Sequence, residues 1–114
     1  MAETSHSKGL LAEFKAKSYL CSKGYKILEK RFKTQMGEID IIALDGKTLV
    51  FIEVKSRKTK EAAAEAIDRK NQKRVRNAAE LYLQRHPEYN EHEMRFDALI
   101  LAPGVLPEHI PDAF

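Results

Sequence analysis

The sequence predicts an α/β domain in which helices flank a mixed central sheet, with the element order αβββαβ. Three observations support this prediction. Residues 37–57 (GEIDIIALDGKTLVFIEVKSR) alternate like two strands around Asp-Gly, the dipeptide most typical of a tight hairpin turn. Segments with helical spacing of apolar residues precede and follow this hairpin. A further apolar run at 95–102 (RFDALILA) comes after the second helix, so it can join the sheet as a parallel strand.

The first helix is predicted to run to about Lys23 and to end at Gly24, in the usual position past a helix C-terminus. Glu13 falls within the apolar arc that includes Leu20, where an unpaired carboxylate would be costly. One interpretation is an ion pair with Lys17, four residues further along the helix. The other is that Glu13 points into a site on the sheet, and the acidic residues of the hairpin favour this second interpretation.

Tyr25–Lys33 is predicted to be a strand that leads into the hairpin. A two-residue loop at Asp45-Gly46 would then pair Leu44 with Lys47 and Asp40 with Phe51. Side chains that share one face would be Glu38, Asp40, Ile42, Leu44, Lys47, Leu49, Phe51, Glu53 and Lys55. Those on the other face would be Ile39, Ile41, Ala43, Val50, Ile52 and Val54. A strand pair that is largely apolar on both faces belongs in the middle of a sheet.

The charged end of the first face is the candidate active site. Asp40 and Glu53 supply two carboxylates, and Lys55 points the same way as Glu53 because one residue separates them. Two carboxylates form a site for a hard cation such as Mg²⁺. Such a cation neutralises a phosphodiester and activates a water, while Lys55 can stabilise the developing charge. The structural alternative is an ion pair between Lys55 and one of these acids that stabilises the end of the sheet.

The positive charge of the chain is concentrated in one stretch. The formal net charge is +3, but basic residues cluster between Lys55 and Arg76, whereas the last 27 residues are acidic. A second helix is predicted from roughly Glu61 or Ala64 to about Arg85, since Pro87 follows. Its basic flank contains the predicted nucleic-acid-binding residues Lys70, Lys73, Arg74 and Arg76. This distribution favours a polyanionic partner, although basic helix faces are often only solvated.

Length and composition limit the number of domains, the cellular location and the kinds of metal site that are expected. We expect residues 1–114 to form one domain, with an irregular tail from about residue 103 in which Phe114 either covers the core or frays. The single cysteine, Cys21, and the absence of an apolar secretory or membrane-spanning segment predict a cytoplasmic protein without membrane association. The four histidines do not have the spacing of zinc ligands.

The same residues carry a resemblance to a known family. The chain resembles the YraN-type family of small bacterial proteins. The segments that carry the resemblance are the hairpin, AEFKAKSYLCSKGYKIL, AAELYL, RFDALIL and the closing HIPDAF. That family is grouped with the PD-(D/E)xK nuclease superfamily, which includes restriction endonucleases and Holliday-junction resolvases. The resemblance implies a restriction endonuclease-like fold and a nuclease-like domain. The residues it implies to be catalytic are Glu13, Asp40, Glu53, Lys55 and Gln72, with Asp40 and Glu53 as the metal ligands. Ile39 stands where the superfamily usually has proline, and Asn71-Gln72 where members often have Lys-Gln, so the role of Gln72 stays open.

Two functions from different classes follow from these observations. The first is a nuclease dependent on Mg²⁺ or Mn²⁺ that hydrolyses DNA, including branched or structured DNA, and the analogy to resolvases extends to a homodimer. The second is a non-catalytic module that binds nucleic acid on a nuclease-like frame, because fold and activity are separable.

Overall fold

A computed structural model describes residues 5–114, which form three helices and five strands. The helices are α1 (Ser5–Ser22), α2 (Lys60–Glu65) and α3 (Arg69–Arg85), and a single 3₁₀ turn spans Pro87–Tyr89. The strands are β1 (Lys26–Lys33), β2 (Glu38–Asp45), β3 (Thr48–Ser56), β4 (Glu93–Leu101) and β5 (Glu108–Ile110). The predicted α/β class with helices around a mixed sheet is confirmed. Among the described residues, no helix is both long enough and apolar enough to cross a membrane.

The five strands form one sheet in the order β1-β2-β3-β4-β5. All neighbours are antiparallel except β3 and β4, which run parallel and are connected through α2 and α3. The hairpin β2–β3 therefore lies inside the sheet, and the run that contains RFDALIL is its parallel neighbour, as predicted. The carboxyl ends of β3 and β4 meet at one edge of the sheet, which is where open α/β sheets usually bind ligands.

The turn of the hairpin differs from the prediction by two residues in register. Asp45 pairs with Thr48 and Leu44 with Leu49, so the loop residues are Gly46 and Lys47. Gly46 has φ 60°, a left-handed value that costs glycine little. Because the shift is two residues, paired side chains from position 41 onward keep their predicted faces.

Helices cover both faces of the sheet. The core under α1 consists of Ala16, Leu20, Tyr25, Ile41, Ala43, Val50, Ile52, Leu99 and Leu101. The core under α3 consists of Phe32, Ile39, Ile42, Leu49, Phe51, Val75, Ala78, Ala79 and Tyr82. A smaller group on the α3 side, Ala63, Ala98 and Ile100, packs beneath α2. Gly37 allows α3 to approach the start of β2, since a Cβ at this position would overlap the backbone carbonyl of Arg74.

The predicted second helix is two helices in the structure. The chain leaves the helical conformation after Glu65, and Asp68 then caps α3 by accepting a hydrogen bond from the Asn71 amide at 2.8 Å. Ile67 lies in the break and packs with the core beneath α2. The break allows the two helices to follow different parts of the sheet, which a single straight helix could not do.

The prediction of an irregular tail from residue 103 was wrong for its middle part. Residues Glu108–Ile110 form β5, whose residues pair with β4 from Ala98 to Ile100. Beyond this strand, Phe114 packs against the α3-side core, with its ring centroid 5.6 Å from that of Phe96. The tail thus closes over the sheet.

Candidate active site at the β2–β3 fork

A local distortion of β1 and β2 determines where Asp40 points. Arg31 has φ 53°, a left-handed value that is uncommon for residues other than glycine. The pairs on either side, Lys30 with Ile41 and Phe32 with Ile39, are intact. The usual alternation of faces is interrupted across this step.

The interruption corrects one of the predicted faces. Ile39 was expected to share the face of Ile41, but Ile39 packs beneath α3 while Ile41 packs beneath α1. The other predicted members of that face, Val50, Ile52 and Val54, do lie on the α1 side. Distortions of this kind re-aim side chains and are frequent next to active sites.

Asp40 lies where the β2–β3 ladder ends. The last regular pair at this end is Ile41 with Ile52, after which the Asp40 Oδ2 atom accepts a hydrogen bond from the Val54 amide at 2.8 Å. The carboxyl group of Asp40 thereby replaces a ladder partner and lies between the two strands. From this fork it lines a cleft on the α1 side and also reaches Glu53 on the neighbouring strand.

The structure brings the two acidic groups of the hairpin together. The carboxyl groups of Glu53 and Asp40 share a hydrogen bond. Glu53 is buried, at 7% exposure, and Asp40 is half-buried. Burial and the adjacent carboxylate of Asp40 raise the pKa of Glu53 to about 8, against the opposing effect of Lys55. Burial also raises the pKa of Asp40, although the hydrogen bond from the Val54 amide lowers it in part. The pair therefore retains a proton at neutral pH.

Lys55 completes this group. Its Nζ atom lies 3.3 Å from Glu53 Oε1, and its side chain is 18% exposed. Alternation along β3 places both residues on the face covered by α2 and α3. Both the catalytic and the structural interpretations of Glu-x-Lys include this ion pair, so the pair alone does not separate them.

Glu13 lines the same cleft as Asp40 but pairs with a residue that the sequence did not indicate. Its carboxylate forms an ion pair with the Arg31 guanidinium, and the expected alternative, a pair with Lys17, is absent among the described residues. The partner lies on β1, eighteen positions away. Helical spacing could not have identified it.

The predicted helix residues lie on α3, across the sheet from the cleft and on the same side as Glu53 and Lys55. Lys70, Lys73, Arg74 and Arg76 are exposed on α3, and the guanidinium of Arg76 lies 4.4 Å from the centre of the Phe96 ring. Gln72, in the first turns of α3, is half-buried, and its side chain makes no hydrogen bond within residues 5–114. The structure thus does not bring Gln72 into contact with the two carboxyl groups.

The donor set at the fork fits a hard cation, with two protein carboxylates. No group of three or more His, Cys, Asp or Glu side chains within residues 5–114 is arranged to hold an ion. A pair of carboxylates nevertheless matches the one or two that Mg²⁺ commonly takes, with waters and substrate oxygens as the other ligands. The raised pKa of both carboxyl groups indicates that the fork lacks positive charge.

A second buried carboxylate, that of Asp97, was not predicted from the sequence. Asp97 is fully buried and accepts hydrogen bonds from Arg95 at 2.8 and 2.9 Å, from His109 Nε2 at 2.7 Å and from the Asp112 amide at 2.9 Å. Burial alone would raise the pKa of Asp97, but the bonds from His109, Arg95 and the Asp112 amide hold it below its ordinary value. Arg95 also donates to the Tyr25 hydroxyl at 2.7 Å. The only available signal was Arg-x-Asp on one strand face, since nothing in the sequence links His109 to it.

Comparison with known sequences identifies the relatives of this chain. The sequence model described as "Uncharacterised protein family UPF0102" matches residues 12–101. The chain belongs to the UPF0102 family. The UPF0102 protein of Nitrobacter winogradskyi is 50% identical over 106 residues, covering 93% of this chain and 90% of that protein. The UPF0102 protein of Rhodopseudomonas palustris (strain HaA2) is 43% identical, covering 100% and 97%. The family match confirms the YraN-type resemblance and includes the whole of the fork.

Proposed function

We propose that this UPF0102 protein is a metal-dependent endonuclease of the PD-(D/E)xK type that hydrolyses phosphodiester bonds in DNA, including branched or structured DNA, on a restriction endonuclease-like fold. The observation that carries the proposal is the meeting of the Asp40 and Glu53 carboxyl groups beside Lys55, where the parallel strands β3 and β4 end. One lysine and one backbone amide do not offset the burial of two neighbouring carboxyl groups, since the pKa of both stays raised, and such a pair is costly for the fold unless a ligand adds positive charge.

Each residue has a defined role in this proposal. Asp40 and Glu53 would hold Mg²⁺ or Mn²⁺, and the bound cation supplies charge neutralisation and a water of lowered pKa. Lys55 would contact the scissile phosphate and stabilise the charge that develops on it. Glu13 would position Arg31 at the cleft through their ion pair. The exposed residues Lys70, Lys73, Arg74 and Arg76 would bind the DNA backbone without reading its sequence.

Cleavage of labelled linear and branched DNA with Mg²⁺ or Mn²⁺ tests the proposal. Glu53→Gln, Asp40→Asn and Lys55→Met should each lower the cleavage rate by more than about 10²-fold, in the range found when a charge-stabilising group is removed. Glu61→Gln and Lys47→Met change exposed residues outside the site and should leave the rate unchanged. Cleavage that persists in Glu53→Gln and Lys55→Met would assign the activity to a contaminant.

The second candidate function is a nucleic-acid-binding module without turnover. The exposed basic side chains of α3 favour it, because they are available to phosphates whether or not the fork is catalytic. Direct titration with Mn²⁺ separates the two functions. The nuclease requires a binding site that Asp40→Asn abolishes, whereas the module requires only DNA affinity that falls steeply with salt.

A homodimer would place two forks on one branched substrate, so that both strands are cut. Light scattering of the free protein and of its complex with DNA measures this directly. A dimer in the complex is expected, and a one-to-one complex on branched DNA would remove this part of the proposal.

A further inference from the structure

We propose that the cleft between α1 and residues 102–107 binds an unpaired nucleic-acid strand, with its bases against the apolar walls and its backbone directed to the fork. This inference rests on the proposed function and specifies its substrate as DNA with a single-stranded segment.

The cleft begins at the fork and is large. Its volume is about 1210 Å³, which exceeds the roughly 300–1,000 Å³ of sites for drug-sized ligands. Leu11 and Phe14 of α1 form one wall, and Val105 and Leu106 form the other. Asp40 also lines this cleft, so a ligand that fills the cleft contacts one residue of the fork.

The walls carry most of the exposed large hydrophobic side chains that the structure describes. Among the side chains that the structure describes, six large hydrophobic ones are exposed, and four of these line this one cleft. Leu106 is 81% exposed and Phe14 is 66% exposed. Single exposed hydrophobic residues are ordinary, but their concentration around one cleft is typical of a binding surface.

The charge of the cleft indicates the chemistry of its ligand. Lys15, Arg31, Arg57 and Lys58 line it, against the carboxyl groups of Glu13 and Asp40. A cationic groove with aromatic and aliphatic contacts is the combination that binds single strands, since cations follow the phosphates while bases pack on the apolar side chains. A duplex keeps the faces of its bases stacked inside, so it cannot use these walls.

The two sides of the sheet would therefore contact different parts of one substrate. The basic residues of α3 lie on the opposite face and would hold a duplex segment by its backbone. The cleft on the α1 side would hold the unpaired continuation, and the fork lies between them at the sheet edge. A junction between double- and single-stranded DNA fits this arrangement.

Fluorescence anisotropy with labelled DNA tests the inference, with EDTA present to prevent cleavage. The probes are a 15-nucleotide single strand, a blunt duplex and the same duplex with a single-stranded overhang. Phe14→Ala should weaken single-strand binding by about 5- to 100-fold, the range found for the loss of one stacked base. Leu106→Ser should weaken it by a smaller factor, because leucine provides apolar contact without stacking. Blunt-duplex binding should change less than about twofold.

Matched variants exclude loss of folding as the cause. Met94→Ser removes a side chain of similar exposure (50%) at the opposite end of the sheet and should change nothing. Phe14→Trp keeps an aromatic face and should restore single-strand affinity. Circular dichroism melting should show the same transition in all variants.

Two results would overturn the inference. One is an equal effect of Phe14→Ala on single strand and duplex, or no effect on either. The other is a wild-type dimer that Phe14→Ala converts to monomer without loss of single-strand affinity, which would assign the apolar walls to self-association. Failure of the nuclease proposal is distinct, because single-strand binding that depends on Phe14 without any cleavage would remove only the enzymatic function.

Discussion

Two sites on the same sheet each contain a buried carboxyl group, Asp97 in one and Glu53 of the fork in the other. The charges around these two groups are balanced in opposite ways. Asp97 is surrounded by donors from Arg95, His109 and the Asp112 amide, and its pKa is lowered. Asp40 and Glu53 face each other with one backbone amide and one lysine, and the pKa of both is raised. Burial is therefore offset within the chain at Asp97 and is not offset at the fork.

This difference indicates what each cluster does. Asp97 connects β4 to His109 of β5 and to the amide of Asp112, two residues beyond β5, so it holds the tail against the sheet. The fork contains acidic groups in excess, which is the condition that a divalent cation satisfies. The charge of Asp97 is balanced by donors from the protein itself, whereas the charge of the fork would be balanced by a bound cation.

The largest expected effect is on folding, at Asp97. Asp97→Asn removes the negative charge and leaves Arg95 and His109 without their buried partner, which should lower the free energy of unfolding by about 3–5 kcal/mol. Urea denaturation measures this change. Asp45→Asn is the control, because Asp45 contacts the same arginine at 3.5 Å but is 45% exposed, and it should cost no more than about 1 kcal/mol. Equal costs for the two variants would contradict the proposed role of Asp97.

The second effect is a dependence of the free energy of unfolding on pH, which should come mainly from the fork. Glu53 has a pKa of about 8 in the folded protein and an ordinary value of 4.5 in the unfolded chain. The folded state thus binds the proton more tightly, so this contribution to stability is fully present below about pH 4.5 and is lost as the pH rises through about 8. The slope should approach about 1.4 kcal/mol per pH unit within that window.

Glu53→Gln should remove most of this slope, because the amide stays neutral at every pH. Urea denaturation at intervals between pH 5 and pH 8.5, in EDTA, measures it against Glu61→Gln, which is exposed and should keep the slope of the wild type. An unchanged slope in Glu53→Gln would place the titrating group elsewhere.

The third prediction concerns the stability of the protein when Mg²⁺ supplies positive charge to the fork. Mg²⁺ at ten times its dissociation constant should stabilise the protein by about 1.4 kcal/mol at pH 8. The effect should be smaller at pH 5, because protons compete for the same oxygens. Thermal unfolding with and without MgCl₂ provides the measurement, and Asp40→Asn should abolish the shift. A shift of equal size in Asp40→Asn would show that Mg²⁺ binds at another place.

Periodicity was sufficient to predict most of the frame. The hairpin, the parallel strand that contains Asp97 and the convergence of Glu53 with Lys55 all follow from the two-residue repeat of a strand. The apolar spacing of residues 67–83 suggested one continuous helix, and the cap at Asp68 was not predicted. Two features stabilise the break between α2 and α3: Asp68 caps α3, and Ile67 packs beneath α2.

The parts that could not be predicted depend on single backbone angles and on distant partners. Alternation gives no sign of the left-handed Arg31, so Ile39 was placed on the wrong face. Arg31, the partner of Glu13, and His109, one of the partners of Asp97, lie 18 and 12 positions away on other elements. Such pairs are determined by the topology of the sheet and not by local sequence.

The smallest effect concerns the backbone that directs Asp40. Arg31 lies opposite Asp40 with φ 53°, whereas the register of β4 around Asp97 is uninterrupted. Arg31→Ala and Arg31→Gly both remove the ion pair with Glu13, but only glycine adopts a left-handed conformation at little cost. Arg31→Gly should therefore be more stable than Arg31→Ala by about 1 kcal/mol. Urea denaturation compares the two, and equal stability would show that the distorted step stores no strain. Since the difference between the variants excludes the ion pair, it isolates the cost of the left-handed backbone conformation opposite Asp40.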